Sequence, residues 1–167
     1  MIKLLRGLGE MTAIFAVVVL AAASAATTEA TSGAHFFKDT AASVNDNGSL
    51  SIHIDEAGVG QALVNYSITG TDSAAYACIN GGSNHPKAAN KATLSNAVAA
   101  SVSESPINGR VEATISPVAG TPPGPGSFSC PSGQTLVLAA VSYSVTLDDT
   151  TNSASISFST SRTFFTF

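Results

Sequence analysis

Residues 135–159 read TLVLAAVSYSVTLDDTTNSASISFS, two alternating runs that flank a polar turn. In each run apolar side chains share one parity, and the other parity is taken by Ser142, Ser144 and Thr146 in the first run and by Ser153, Ser155, Ser157 and Ser159 in the second. The apolar positions are Val137, Ala139, Val141, Tyr143, Val145 and Leu147, then Ala154, Ile156 and Phe158. Because successive side chains of a strand point to opposite faces, the pattern predicts strands at 135–147 and 154–159. The turn at 148–152 would join them as an antiparallel hairpin.

The same alternation recurs through the rest of the chain. Further strands are predicted at 34–38, 50–54, 62–69, 97–103, 110–116 and 163–167, each bounded by turn-forming residues. Asp72 is expected in the turn Gly70–Ser73, and the phenylalanines are expected to fill the core with Val, Ile and Leu. Eight short strands at this spacing indicate an all-β, antiparallel two-sheet sandwich, immunoglobulin-like or related.

The N-terminus has the three parts of an export signal. Lys3 and Arg6 are basic, residues 11–23 are uncharged and mainly apolar, and Ala23-Ser24-Ala25 offers small residues for cleavage. The apolar run is shorter than the ~20 residues that a membrane-spanning helix needs. We therefore predict a cleavable signal peptide at 1–25, a flexible segment at 26–33 and one domain at 34–167. The product would be secreted and extracellular, with no membrane span after signal cleavage.

Composition argues against two classes of partner. The chain carries a net charge of −4, and loss of Lys3, Arg6 and Glu10 with the signal lowers it to −5. Lysines and arginines are few and scattered. Nucleic-acid binding rests on a basic surface, and so does attachment to an anionic membrane, so the sequence predicts neither.

The two cysteines of the exported chain are expected to form one disulfide. Cys78 and Cys130 fall in the two longest irregular stretches, 77–91 and 117–134, so a bond would tie these loops together at one end of the sandwich. No Cys-x-x-Cys pair is present to exchange electrons, which favours a structural role.

Cys78 opens the stretch Cys-Ile-Asn-Gly-Gly-Ser-Asn-His-Pro-Lys-Ala-Ala-Asn, which ends at Asn90. With the export signal, the Ser/Thr-rich alternating strands, a second Cys-Pro after a Pro-rich loop and an aromatic C-terminus, the chain resembles a group of small secreted β-rich proteins of unknown function common in filamentous actinobacteria. The resemblance implies secretion, a β-rich fold and one disulfide. It transfers no catalytic residue.

One pair of side chains suggests acid–base chemistry. His53 and Asp55 lie two residues apart in Ser51–Glu56 and would share one face of a strand. A histidine within reach of a carboxylate is half of a general acid–base pair. The alternative is an outward polar face opposite Ile52 and Ile54, which we favour. No serine lies in Gly-x-Ser-x-Gly, so no nucleophile stands out and no catalytic residue is assigned.

The acidic hairpin turn is a weak candidate for calcium. Asp148, Asp149 and Asn152 supply the oxygen ligands that Ca²⁺ prefers, but their spacing does not follow the helix–loop–helix pattern. Aspartate and asparagine are also common in turns because they accept backbone hydrogen bonds there. The sequence predicts no cofactor.

A binding loop is the remaining candidate site. Its residues are Tyr76, Asn80, Gly81, Gly82, Asn84 and His85. Carbohydrate modules stack sugars on exposed aromatic rings, and Tyr76 could provide one, although the chain has no tryptophan. Asn47 and Asn65 stand in Asn-x-Ser sequons, the acceptor pattern for N-glycosylation.

Together these features favour a non-catalytic extracellular binding or structural protein. Its partner would be another extracellular protein, a cell-envelope component, or a second copy of the chain that pairs through the sheet edges. The alternatives are a small secreted hydrolase that uses His53 and Asp55, or a carbohydrate- or calcium-binding module.

Overall fold

The computed structural model describes residues 33–80 and 90–166. The predicted signal peptide and all but Gly33 of the segment 26–33 lie outside these residues, as do Gly81, Gly82, Asn84 and His85. The described chain forms eight strands. They are β1 (His35–Phe36), β2 (Ala41–Val44), β3 (Leu50–Ala57), β4 (Val64–Asn80), β5 (Lys91–Glu104), β6 (Arg110–Ile115), β7 (Gln134–Asp149) and β8 (Ala154–Thr163).

The strands form two antiparallel sheets, which confirms the all-β, two-sheet prediction. In the small sheet, β1 and β2 pair with one side of β3, and β6 pairs with the other. The large sheet has the order β5-β4-β7-β8. The immunoglobulin-like subclass stays a prediction.

The predicted β7–β8 hairpin is confirmed, and its strands pair from Asp149↔Ala154 to Ala140↔Thr163. Other boundaries differ. β4 and β5 are much longer than 62–69 and 97–103, and β2 was not predicted. Asp72 lies inside β4, where its Oδ1 accepts the Asn96 amide at 2.8 Å, so its assignment to a turn is wrong. Aspartate has a poor β-propensity. It is tolerated here because its carboxylate accepts a backbone hydrogen bond from the neighbouring strand β5.

The last predicted strand is also wrong within the described residues. β8 already contains Thr163 and ends there. The amides of Phe164 and Phe165 both donate to the carbonyl of Ala139, at 2.8 and 3.1 Å. These two bonds use one acceptor on one strand, so residues 164–166 do not begin a new ladder.

The core between the sheets is aliphatic and tyrosine-rich rather than phenylalanine-rich. Leu50, Ile52, Ile54, Ile68 and Leu147 are fully buried. None of the described phenylalanines is fully buried. Four of them are partly buried and pack against this centre, which corrects the expectation that phenylalanines would form it: Phe36, Phe128, Phe158 and Phe164.

All three tyrosines of the chain face the interior, and each hydroxyl crosses to another layer. Tyr66 of β4 donates to Glu56 of β3 at 2.7 Å. Tyr143 of β7 donates to the carbonyl of Gly48, in the β2–β3 turn, at 2.7 Å. Tyr76 donates to the carbonyl of Pro123 at 2.6 Å. A buried hydroxyl requires such a partner, so these bonds fix how the layers sit on one another.

The segment 116–133 covers the part of the large sheet that the short strands of the small sheet do not reach. Its amide of Val118 donates to Leu50 at 2.7 Å, and Leu50 in turn donates to the Thr121 hydroxyl at 3.0 Å. Val118 is fully buried and Phe128 packs against the core. The segment therefore encloses the core together with the two sheets and is not a free loop.

The predicted disulfide is confirmed. Cys78 and Cys130 are bonded with their Cα atoms 5.5 Å apart. Cys130 lies in the segment 116–133 as expected, but Cys78 is a fully buried residue of β4 rather than of a loop. The bond therefore ties the covering segment to the sheet beneath it.

No helix within residues 33–80 and 90–166 has the length and apolar character that crossing a membrane requires.

We expect loss of the disulfide to destabilise the fold by about 4 kcal/mol, because the bond closes a loop with a sequence separation of 52. Chemical denaturation of the oxidised protein and of a Cys78→Ala/Cys130→Ala variant measures the difference. Equal midpoints and slopes would contradict a structural role for the bond.

We expect Tyr143→Phe to lower the free energy of unfolding by about 1–3 kcal/mol, since the Gly48 carbonyl loses a buried donor. Ser157→Ala is the control, because it removes an exposed hydroxyl contact with Thr146 and should cost less than about 0.5 kcal/mol. Both are measured by urea denaturation. A Tyr143→Phe variant as stable as this control would show that the cross-layer bond contributes nothing.

Candidate functional site

The proposed acid–base pair does not form. His53 and Asp55 do share the outward parity of β3, but each has another partner. The Nδ1 of His53 lies 3.2 Å from the Thr114 hydroxyl on β6. Both oxygens of Asp55 accept hydrogen bonds from Arg110, each at 2.7 Å. The arrangement is a structural ion pair beside a histidine and gives no support to the hydrolase alternative.

Asp55 is buried although it lies on the outward parity, because the chain between β1 and β2 folds over it. The Thr40 hydroxyl donates to the Asp55 carbonyl at 2.8 Å and accepts its amide at 3.0 Å. The guanidinium of Arg110 also stands 5.2 Å from the centre of the Phe37 ring. This cluster fills the break in the edge of the small sheet. Hydrogen bonds from Arg110 hold the pKa of Asp55 below its ordinary value of 3.8.

The acidic turn does not gather its oxygen ligands. Asp148 and Asp149 face opposite sides of β7, as adjacent strand residues must. Asp148 accepts the Ser155 hydroxyl at 2.7 Å on the outer face. The Oδ1 of Asp149 accepts the Thr151 and Asn152 amides at 2.7 and 2.9 Å, while its Oδ2 accepts Asn152 Nδ2 at 2.7 Å. Asp149 therefore caps the turn, and this arrangement does not bring Asp148, Asp149 and Asn152 together as the weak calcium candidate would require.

Residues 33–80 and 90–166 contain no group of three or more His, Cys, Asp or Glu side chains placed to hold a metal ion.

Tyr76 cannot serve as an exposed stacking platform. Its side chain is 8% exposed and its hydroxyl is engaged by Pro123 in the covering segment. Of the other predicted binding-loop residues, Asn80 is the exposed last residue of β4, and the remaining four lie outside the described residues.

The sequon asparagines are both engaged in hydrogen bonds. Asn47 Oδ1 accepts the amide and the hydroxyl of Ser49 within the β2–β3 turn, at 3.0 and 2.7 Å. Asn65 Oδ1 accepts the Ser103 hydroxyl at 2.7 Å across β4 and β5.

The outer face of the large sheet is a continuous field of hydroxyl side chains. Across β4, β7 and β8 the registers align Thr71 with Ser144 and Ser159, and Ser73 with Ser142 and Ser161. They line a shallow, open depression of about 600 Å³. Hydroxyls at such positions donate and accept hydrogen bonds but supply neither charge nor an aromatic platform. This surface is therefore wettable and mostly uncharged, with Asp72 beside the depression and Asp148 near the β7–β8 turn.

The sequence analysis did not identify a buried polar cluster in the core. Glu56 is 0% exposed and Asp149 is 1% exposed, and both face the core beside Tyr66. Burial is the main cause that raises the pKa of Glu56, to about 7. The signal was available in the alternation, because Glu56 has the parity of Leu50, Ile52 and Ile54, and Asp149 has that of Val145 and Leu147.

Comparison of the chain with protein-family models, curated proteins and solved structures found no significant match.

We expect the Asp55–Arg110 pair to stabilise the fold at neutral pH and to lose its effect in acid. The pKa of Asp55 is lowered by folding, so its contribution is present above its ordinary value of 3.8 and disappears as pH falls through the lowered pKa. Arg110→Met should unfold at lower urea concentration at pH 7 and should lack this part of the acid decline.

The matched control is Arg162→Met. Arg162 also contacts an aspartate at 2.7 Å, but that residue, Asp46, is 94% exposed. Such exposed pairs contribute about 0–1 kcal/mol. The urea midpoint of the control should therefore resemble that of the unmodified protein, both at pH 7 and in acid. Indistinguishable urea midpoints for the two variants at pH 7 would contradict a special role for Asp55.

Proposed function

We propose that the chain is a secreted, non-catalytic structural or binding protein that associates with copies of itself through the exposed edge of β5. The observation that carries the proposal is the character of that edge. β5 is 14 residues long, and its only charged residues are the terminal Lys91 and Glu104. Between them lie neither a proline nor a register shift against β4.

Natural sheets protect long edges, because unpaired amides and carbonyls can add a strand from another molecule. The other long edge of this protein is protected. β8 packs beside β2, and Arg162 donates to the Val44 carbonyl at 3.2 Å while it pairs with Asp46. The small sheet has a six-residue β6 that carries Arg110 and Glu112, and its opposite edge is broken between β1 and β2. Among the described strands, β5 is the long edge without such protection.

Pairing of two β5 strands would be antiparallel about a two-fold axis perpendicular to the sheet. This symmetry uses the same surface on both copies and keeps equivalent faces on the same side. Two hydroxyl faces would then join into one eight-stranded surface, with both cores behind it. Strand addition of this kind gains affinity from main-chain hydrogen bonds rather than from a pocket.

Two sequence features support secretion: the export signal predicted at 1–25, and a disulfide of the kind that persists in oxidising compartments. The low content of charged residues, 11%, suits a surface or matrix component that associates at high local concentration.

Light scattering across a concentration series tests the proposal. We expect the protein lacking residues 1–25 to form dimers or larger species as concentration rises. Ala97→Lys and Ala99→Lys, both exposed on the outer side of β5, should shift the population to monomers, since a lysine on an edge opposes strand pairing.

Ser159→Lys is the matched control, an equally small and exposed position on the protected edge strand β8. It should leave association unchanged. A protein that stays monomeric throughout the series, or equal effects of the β5 and β8 variants, would overturn association through β5.

A further inference from the structure

Glu56 and Asp149 approach each other from opposite sheets inside the core. Glu56 belongs to β3 and is fully buried, and Asp149 ends β7 with 1% exposure. Tyr66 of β4 lies in register with Asp149 and donates its hydroxyl to Glu56 Oε2 at 2.7 Å. The side chains of Glu56 and Asp149 are themselves within hydrogen-bonding reach. Two carboxyl groups thus share one dry site.

The distribution of donors tells the two carboxyls apart. Asp149 already accepts three N–H groups, from Thr151 and Asn152. Glu56 receives the Tyr66 hydroxyl alone, and its Oε1 has no donor among the described residues. An ionised carboxylate only accepts, so two ionised groups could not bond each other. A proton on Glu56 Oε1 provides the missing donor and resolves the contact.

We propose that Glu56 carries a proton in the folded protein and donates it from Oε1 to Asp149, forming a pH-sensitive latch between the two sheets. When the proton is lost to solvent, two buried carboxylates face each other without a donor between them. Like charges at this range repel, and neither is fully solvated. The contact that joined the sheets then pushes them apart.

Charged and polar groups on β1, β4, β5 and β7 act on the latch. Burial raises the pKa of Glu56 to about 7, and the hydrogen bond from Tyr66 opposes this rise. Asp149 raises the pKa further, and His35 on β1 lowers it. Glu104 of β5 acts on Tyr66, whose own pKa is raised chiefly by burial and then by Glu56. The net balance favours a protonated Glu56 up to about neutral pH.

The sign of the pH effect follows from this balance. Folding raises the pKa of Glu56 from its ordinary value of 4.5 to about 7. The stabilisation is complete below pH 4.5 and is lost as pH rises to about 7, over which the unfolding equilibrium constant grows on the order of a hundredfold. This trend is opposite in sign to that of Asp55 and lies in a higher pH window.

Glu56→Gln is the decisive variant, because its amide imitates the protonated acid. The amide oxygen accepts from Tyr66, and the amide nitrogen donates to Asp149. We expect urea unfolding of this variant to lose the decline between pH 4.5 and 7 that the unmodified protein shows. His35→Gln is the control for histidine titration and should keep the decline.

Infrared difference spectra of the folded, unmodified protein supply a second measurement that does not depend on any variant's folding. A protonated carboxyl band should persist toward pH 7, long after ordinary glutamates have ionised, and disappear on further alkalinisation. A decline in stability that Glu56→Gln leaves intact would overturn the proposal, and so would the absence of that band above pH 5.

Discussion

The three tyrosine hydroxyls are the contacts on which the register between the layers depends. Apolar packing holds two sheets together without specifying how one slides on the other. A hydroxyl buried between them specifies it, because leaving the bond unmade costs about 1–3 kcal/mol. Tyr66 places β4 against β3, Tyr143 places β7 against the β2–β3 turn, and Tyr76 places β4 under the segment 116–133. The large sheet is thus held at three points along its inner face.

The unequal lengths of the strands explain where the disulfide lies. β4 and β7 have 17 and 16 residues, whereas β3 has eight, so the small sheet cannot cover the inner face of its partner. The connecting segment 116–133 covers the rest of that face. An irregular chain lacks the backbone hydrogen bonds of a strand ladder, so it needs other anchors. Cys130, Tyr76 and the bonds at Val118 supply the anchoring that paired strands supply elsewhere.

Period-two alternation made most of the fold readable from sequence. It located the β7–β8 hairpin and both faces of β7 from Ala140 onward. It was wrong nearer the start of β7, where the register shifts opposite Ala75 and Tyr76 and where Leu136 and Leu138, rather than Val137, pack against the core. It failed for the second half of β4, where Gly70 and Asp72 take inward positions that apolar residues would normally occupy. Gly70 is required there because a Cβ would collide with the Ser144 carbonyl of the neighbouring strand. The close backbone approach at Gly70 and the hydrogen bond of the Asp72 carboxylate are tertiary contacts, which a local sequence pattern does not predict.

The same limit applies to the charged side chains. From sequence, His53 and Asp55 drew attention as neighbours on one face, whereas the contacts that matter join residues far apart in the chain. Asp55 and Glu56 are adjacent in β3, yet their side chains point to opposite faces. Asp55 pairs with Arg110 on the outer side, whereas Glu56 lies inside with Tyr66 and Asp149. Alternation predicts that two adjacent carboxyl side chains point to opposite faces of a strand. The charge of each carboxyl depends on the groups that it contacts there. Arg110 keeps the first ionised, and the donor-poor interior favours a proton on the second. One strand therefore holds two carboxyls whose preferred charge states are set by opposite environments.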